Sequence, residues 1–245
     1  FEKMLTKNYG AASNLFEEFL IEYPDHSKTK RAEKMLKFCK SQIPYENIEK
    51  TIANLKYNNL DMAISNLLEA EEYNIPELSR EIETRKDDIA RMLVDDILEN
   101  ADTLDFITAE TMASRAYNLS PNNLFVKNIR SQMYLKKADF LIENGDYFSS
   151  VDNLKQAINI FPENIKFYNS KIMEISILMM DEVNKSFNDG NYIVAINTLS
   201  KISDINPSLN DKASKAINNL KQKLENRESK KINKLISNMA EKYKK

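Results

Sequence analysis

The prolines constrain this chain most. Five of the six, Pro24, Pro76, Pro121, Pro162 and Pro207, each follow an aromatic or large apolar residue at a nearly fixed distance. The pairs are Tyr9–Pro24, Leu60–Pro76, Phe106–Pro121, Tyr147–Pro162 and Tyr192–Pro207, with a separation of 15 residues in four and 16 in the second. Pro44 stands outside the pattern. The residue before each anchor is Asn8, Asn59, Asp105, Asp146 or Asn191. Such side chains accept hydrogen bonds from the unpaired N–H groups of a helix start, so all five read as N-caps. Gly145 and Gly190 come one residue earlier, where a turn between helices favours a left-handed residue.

Three residues after the anchors stand Ala12, Ala63, Ala109, Ser150 and Ala195, all small, as a close helix crossing requires. Seven after come Phe16, Leu67, Ala113, Leu154 and Leu199; ten after come Phe19, Ala70, Ala116, Ala157 and Ile202. Offsets of 0, 3, 7 and 10 mark one face of an α-helix. Proline then closes the helix, because it lacks an N–H and disfavours helical geometry just before it. With only 3 glycines among 245 residues, the tight turns of a sheet are undersupplied. The expected fold class is therefore all-α, with helices joined by short loops.

The pattern resembles the tetratricopeptide repeat. The clearest copy is Gly145-Asp146-Tyr147 with Leu154, Ala157 and Pro162-Glu163-Asn164, followed by Gly190-Asn191-Tyr192 with Ala195, Leu199 and Asn206-Pro207. The likeness covers roughly residues 1–210. It implies an α-α superhelix, a right-handed solenoid of about five helical hairpins, over units of approximately 1–43, 44–77, 78–122, 123–163 and 164–207. A C-terminal capping helix would follow over 208–245. That family repeats about every 34 residues, whereas here successive prolines lie 52, 45, 41 and 45 apart. The family's small residue nine before the anchor survives as Ala138 but is Thr51, Ile97 and Val183 elsewhere. The first helices should be longer and less regular. The stretch between Pro24 and Leu60 is expected to hold two helices, Lys28–Gln42 and Tyr45–Tyr57, separated at Pro44.

In the first unit, Phe16, Phe19, Leu20 and Glu22-Tyr23-Pro24-Asp25-His26 are similar to repeats of bacterial envelope proteins, the outer-membrane-assembly lipoproteins and the cell-division coordinators of the Tol–Pal system. That similarity implies a bacterial cell envelope or periplasm, with the cytoplasm as the alternative. The chain opens at Phe1 inside a helical pattern with Met4 and Leu5, which reads as part of a longer precursor.

The net charge of −2 gives no global pull toward nucleic acid, but charge is unevenly spread. Residues 61–110 carry 4 basic and 15 acidic side chains, and residues 207–245 carry 11 and 4. The acidic region over 69–110 predicts a basic partner, or docking of the basic tail. The tail has two apolar faces, one of Ala213, Ala216, Ile217, Leu220 and Leu224 and one of Ile232, Leu235, Ile236, Met239 and Tyr243. It reads as one long helix or two shorter ones that cap the array. Its lysines could instead bind phosphates or an anionic surface. No stretch reaches the length of a membrane span, and Ile172 to Met180, the most apolar run, reads as a buried helix.

Chemistry is sparse. The single histidine, His26, follows a helix end, and the single cysteine, Cys39, sits on the apolar side of a helix, where it reads as a small buried hydrophobe. A zinc site needs about four close nitrogen or sulfur ligands, and these are the only two candidates. The three glycines form no phosphate loop, and the carboxylate pairs Glu71-Glu72, Asp87-Asp88 and Asp95-Asp96 read as solvated helix faces. No catalytic residue, cofactor or metal is expected; a hydrolase or transferase would have to use His26 or Cys39.

In the family, partners lie on the concave face formed by the first helices. Carried over by position, that face holds Glu49 and Lys56, Asp95 and Asp102, Lys136, Asp139, Ile142 and Glu143, and Asp181, Asn184, Phe187 and Asn188. Spacings of 3, 4 or 7 put each set on one helical face. Ile142 and Phe187 would anchor a partner if exposed; ordinary solvated surface is the competing reading for the rest. The expectation is a non-catalytic scaffold or adaptor within an envelope, secretion or motor assembly, binding other proteins or peptides through the groove. The alternative is a regulatory or chaperone-like module that captures one peptide.

Overall fold

The structure, a computed structural model, describes residues 2–242, with the backbone alone for residues 239–242. Phe1, read as part of an opening helical pattern, and Tyr243 and the side chain of Met239, expected on an apolar face of the tail, lie outside what is described. Among the described residues the chain is all-α, with eleven helices, two short 3-10 turns and no strand.

Five helices are short: α2 (Tyr9–Glu22), α4 (Leu60–Glu72), α6 (Phe106–Leu119), α8 (Tyr147–Ile160) and α10 (Tyr192–Ile205), all of 13 or 14 residues. Each begins on its predicted anchor. Five longer helices alternate with them: α3 (Thr29–Lys56), α5 (Pro76–Glu99), α7 (Leu124–Glu143), α9 (Ile165–Asn188) and α11 (Asn210–Lys242). Helix α1 (Glu2–Leu5) is a single turn. The chain forms two compact units, Phe1–Ile129 and Arg130–Lys245. Within the first, α2 packs on α3, α3 on α4, α4 on α5 and α5 on α6; within the second, α8 packs on α9, α9 on α10 and α10 on α11.

The small positions are buried, as a close crossing demands: Ala12, Ala63, Ala109, Ser150 and Ala195 are all at most 8% exposed. Leu67, Ala113, Leu154 and Leu199 are buried behind them, as are Ala70, Ala116, Ala157 and Ile202. Phe16 and Phe19 of α2 are only half-buried. Helix α2 has one long neighbour, α3, and the four-residue α1, so less of its surface is covered.

The turn before four of the anchors is the same. Lys7, Asn58, Gly145 and Gly190 are all left-handed, with φ between 50° and 74°. Each donates its N–H three residues back, to Met4, Leu55, Ile142 and Phe187, and the following cap residue donates five back, to Lys3, Asn54, Leu141 and Ser186. This pairing closes the carbonyls of the preceding helix. Asn8, Asp105 and Asp146 cap as expected, accepting from Ala11, Thr108 and Ser149. Asn59 and Asn191 hold the cap position but make no side-chain cap bond, so the sequence reading overstated their role. Pro76 likewise does not close α4, which ends at Glu72; it opens α5, where a missing N–H costs nothing.

The stretch around Pro44 departs further from expectation. It is one continuous helix of 28 residues, with Pro44 buried inside it, and not two helices. An interior proline forfeits a hydrogen bond and costs about 3 kcal/mol in an isolated helix. Here both sides of it are pinned to α2. Tyr9 packs edge-on against Phe38 with ring centroids 6.0 Å apart, Lys40 pairs with Glu17 at 2.6 Å, and Glu46 accepts from the N–H groups of Tyr9 and Gly10. Tertiary packing thus carries the helix through a local break. The unit boundary expected at residues 43 and 44 falls inside α3.

Candidate partner-binding groove

Helices α9 and α11 both pack against α10 and leave a groove between them, with α10 as its floor. Two cavities lie along it. The first, of about 230 Å³, is bordered by Met173, Ser176, Ile177, Met180 and Asp181 of α9, Ile202 of α10, and Leu209, Lys212 and Ala213 on the other side. The second, of about 250 Å³, is bordered by Met180, Val183, Asn184 and Phe187, by Leu199, and by Ala216, Asn219, Leu220 and Lys223. The floor is the phased face of α10, so the same spacing that buries Leu199 and Ile202 shapes the groove. The walls are apolar with a polar rim.

Helix α9 can form such a wall because it is apolar on two faces. Ile172, Ile175, Ser176 and Met179 are buried, whereas Met173 is 41% and Ile177 57% exposed. The run Ile172 to Met180 is therefore only half a buried helix; its other face is open. Methionines at 173 and 180 give that face unbranched, polarizable side chains that repack around different partners. At the far end the Lys223 ammonium lies 4.3 Å from the centroid of the Phe187 ring, which also meets Tyr192 at 5.7 Å.

Of the residues expected on the concave face, Asp181, Asn184 and Phe187 border these cavities. Asn188 is the exposed last residue of α9. Phe187 is half-buried against the core, not a free anchor. On α7, Lys136 and Glu143 are exposed, Asp139 accepts from Lys171 of α9 at 3.4 Å, and Ile142 packs against the same core. In the first unit Glu49 pairs with Lys7 at 3.2 Å and Lys56 is exposed at the end of α3. Asp95 and Asp102 do not share a helical face: α5 ends at Glu99, and Asp102 lies in the turn beyond. The seven-residue spacing misled because it ran past the helix end. Met173, Ile177 and Met180, together with the whole α11 wall, were missed. The signal was present in the length of the apolar run and in the alternation of Lys212, Ala216, Asn219 and Lys223 on one face of α11.

The residues with reactive chemistry are elsewhere. Cys39 is fully buried, and burial holds its thiol above the ordinary value. His26 is exposed; its Nδ1 accepts from the Lys28 N–H at 3.1 Å and its ring packs edge-on against Phe19. Much of the acidic region is internally paired: Asp61 with Arg115, Asp87 with the Ser120 hydroxyl, Glu71 and Glu83 with Lys86. Burial pulls the Lys86 ammonium down, yet its bonds to Glu71 and Glu83 outweigh this and hold its pKa above the lysine norm. Among the described residues no three His, Cys, Asp or Glu side chains are placed to hold a metal, and no helix is long and apolar enough to cross a membrane. Neither a protein-family model nor a curated protein matches the chain.

Proposed function

We propose that the chain is a non-catalytic interaction scaffold of tetratricopeptide-like hairpins, and that the groove between α9 and α11 receives a helix or extended segment of another protein. One observation carries this reading: Ile177 and Met173 stand exposed on a groove wall above a fully buried floor. Covering such side chains contributes about 25 cal/mol per Å², and interfaces draw most of their energy from buried apolar anchors. The repeated left-handed turn and the five equivalent short helices support the repeat assignment.

The test is a photo-crosslinking residue at position 177, with a second at exposed Leu15 for comparison. A discrete protein adduct is expected at 177, lost when Met180→Asp is added while the helical circular dichroism is kept. Absence of an adduct at 177, or an adduct there that Met180→Asp leaves unchanged, refutes the groove as the partner site. The second reading, a chaperone-like module for one peptide, draws support from the two cavities lying in line. It expects one saturable site; a scaffold also yields adducts on other faces.

A further inference from the structure

The groove continues beyond its apolar cavities. Lys223 borders the second of them and also a third, of about 480 Å³, bordered further by Tyr192, Arg227, Lys230, Lys231 and Lys234. Two of these cations fasten α11 in place. Arg227 donates to the Gly190 carbonyl at 2.8 Å and lies over the Tyr192 ring, and Lys223 lies over Phe187. Lys230, Lys231 and Lys234 are exposed. At 100° per residue, Lys223, Arg227, Lys230 and Lys234 fall within about 60° of one another, and the carboxylates of that stretch, Glu225 and Glu228, point about 100° or more away. The line of charge runs about 16 Å along the helix. Like charges held together repel, and neither Glu225 nor Glu228 is placed to offset them. A ligand with matching negative charge would.

We propose that the groove's occupant is an amphipathic protein segment ending in a run of Asp or Glu side chains. Its apolar face lies over α10 and its acidic end along Lys223 to Lys234. This rests on the groove reading above. The second apolar cavity shares Met180 with the first and Lys223 with the cationic one, on the same side of α11, so one ligand meets all three. A bilayer surface is too flat to enter a groove floored by α10. A nucleic acid would leave the apolar cavities empty and find in the cationic one a single aromatic ring, Tyr192, already covered by Arg227.

The test uses the whole chain and two fluorescent peptides that share one amphipathic leucine-bearing helix and end in either four glutamates or four glutamines. By anisotropy at low salt the glutamate peptide should bind about ten-fold more tightly or better, and the gap should close at high salt. The triple variant Lys230→Glu, Lys231→Glu, Lys234→Glu spares the two fastening cations and should erase the preference while binding the glutamine peptide as before. Equal binding of both peptides overturns the acidic occupant and leaves the groove standing. Binding of neither overturns the groove as well. Retention on phosphatidylserine vesicles that the triple variant loses, without any preference for the glutamate peptide, assigns the cations to a lipid surface and overturns the proposal.

Discussion

Replacing Glu46 tests how the first short helix is docked. Its carboxylate is 6% exposed and faces the N-terminus of α2. Oε2 accepts from the N–H of Tyr9 at 2.7 Å and of Gly10 at 3.0 Å, and Oε1 pairs with Lys50 at 2.7 Å. Asn8 supplies the rest of the turn, its side chain accepting from Ala11 and its carbonyl from Ala12. The four amides that open α2 are thus all satisfied, two by a side chain from another helix. Hydrogen bonds to a charged partner contribute about 1.5–3 kcal/mol each, and a carboxylate at a helix start adds up to about 1 more. Against this stand the lost desolvation cost of the carboxylate and partial rehydration of half-buried Tyr9 and Gly10. Glu46→Ala should therefore cost about 3 kcal/mol, and Glu46→Gln, which keeps one acceptor but no charge, about half that. At about 3–4 °C per kcal/mol for a unit of this size, the alanine variant should melt about 10 °C lower. Urea denaturation gives the free energies, and amide exchange at Tyr9 and Gly10 gives the local effect. An alanine variant within about 0.5 kcal/mol of the parent, or unchanged exchange at those two amides, refutes the reasoning.

Two further perturbations separate causes that the structure places close together. Gly145 and Gly190 share a φ of +74°, but a Cβ on Gly145 meets nothing within 4 Å, whereas one on Gly190 comes within 2.9 Å of Arg227 Nη1. Gly145→Ala should cost about 1 kcal/mol from the left-handed backbone alone, and Gly190→Ala up to about 1 more where moving the flexible Arg227 guanidinium breaks its bond to the Gly190 carbonyl; equal costs would show that this bond contributes nothing to stability. Lys86 titrates above its ordinary 10.5, so its stabilisation is complete below that pH and is lost as pH rises through the higher folded value. Lys86→Met should be about 1 kcal/mol less stable near neutrality, with the gap to the parent narrowing as pH rises above about 10.5; a gap that does not change on that alkaline limb removes the ion-pair explanation.

The short helices could be read from sequence because each buries one regularly spaced face. A residue such as Leu199 or Ala157 has little freedom to vary, so anchor, small residue and proline recur in phase. The long helices vary from 20 to 33 residues and share no fixed anchor, so their chemistry is correspondingly looser. Pro44 marked a break by its local preference, and the contacts that overrule it come from α2, out of reach of any local rule. Asn59 and Asn191 have the right residue in the right place, yet whether a side chain bonds depends on a rotamer that spacing does not encode. Part of one groove wall was legible, through Asp181, Asn184 and Phe187. Ile177 and Met180 were hidden in a run whose hydrophobicity suggests complete burial. Periodicity cannot separate an apolar face covered by its own chain from one left for a partner.

The difference in helix length connects fold to function. A 14-residue helix spans about 21 Å and the 33-residue α11 about 50 Å. Helix α11 therefore runs past the start of α10, and from Glu225 to Asn238 its side chains are all exposed. Up to that point its inner face carries Ala213, Ala216 and Leu220, small or apolar groups that settle on α10. Past it the same face carries Arg227, Lys230 and Lys234, which could not seat another apolar hairpin without burying unpaired charge, at a cost of several kcal/mol. The change from alanine and leucine to lysine along one face thus sets where the packing of α11 on α10 ends and where a charged surface begins. In unit one α3 and α5 meet directly across α4, whereas in unit two α9 and α11 are bordered by open cavities over α10. The repeated residues specify the floor in both places; the unrepeated residues of the walls decide whether the space above it is filled from within or left for another molecule.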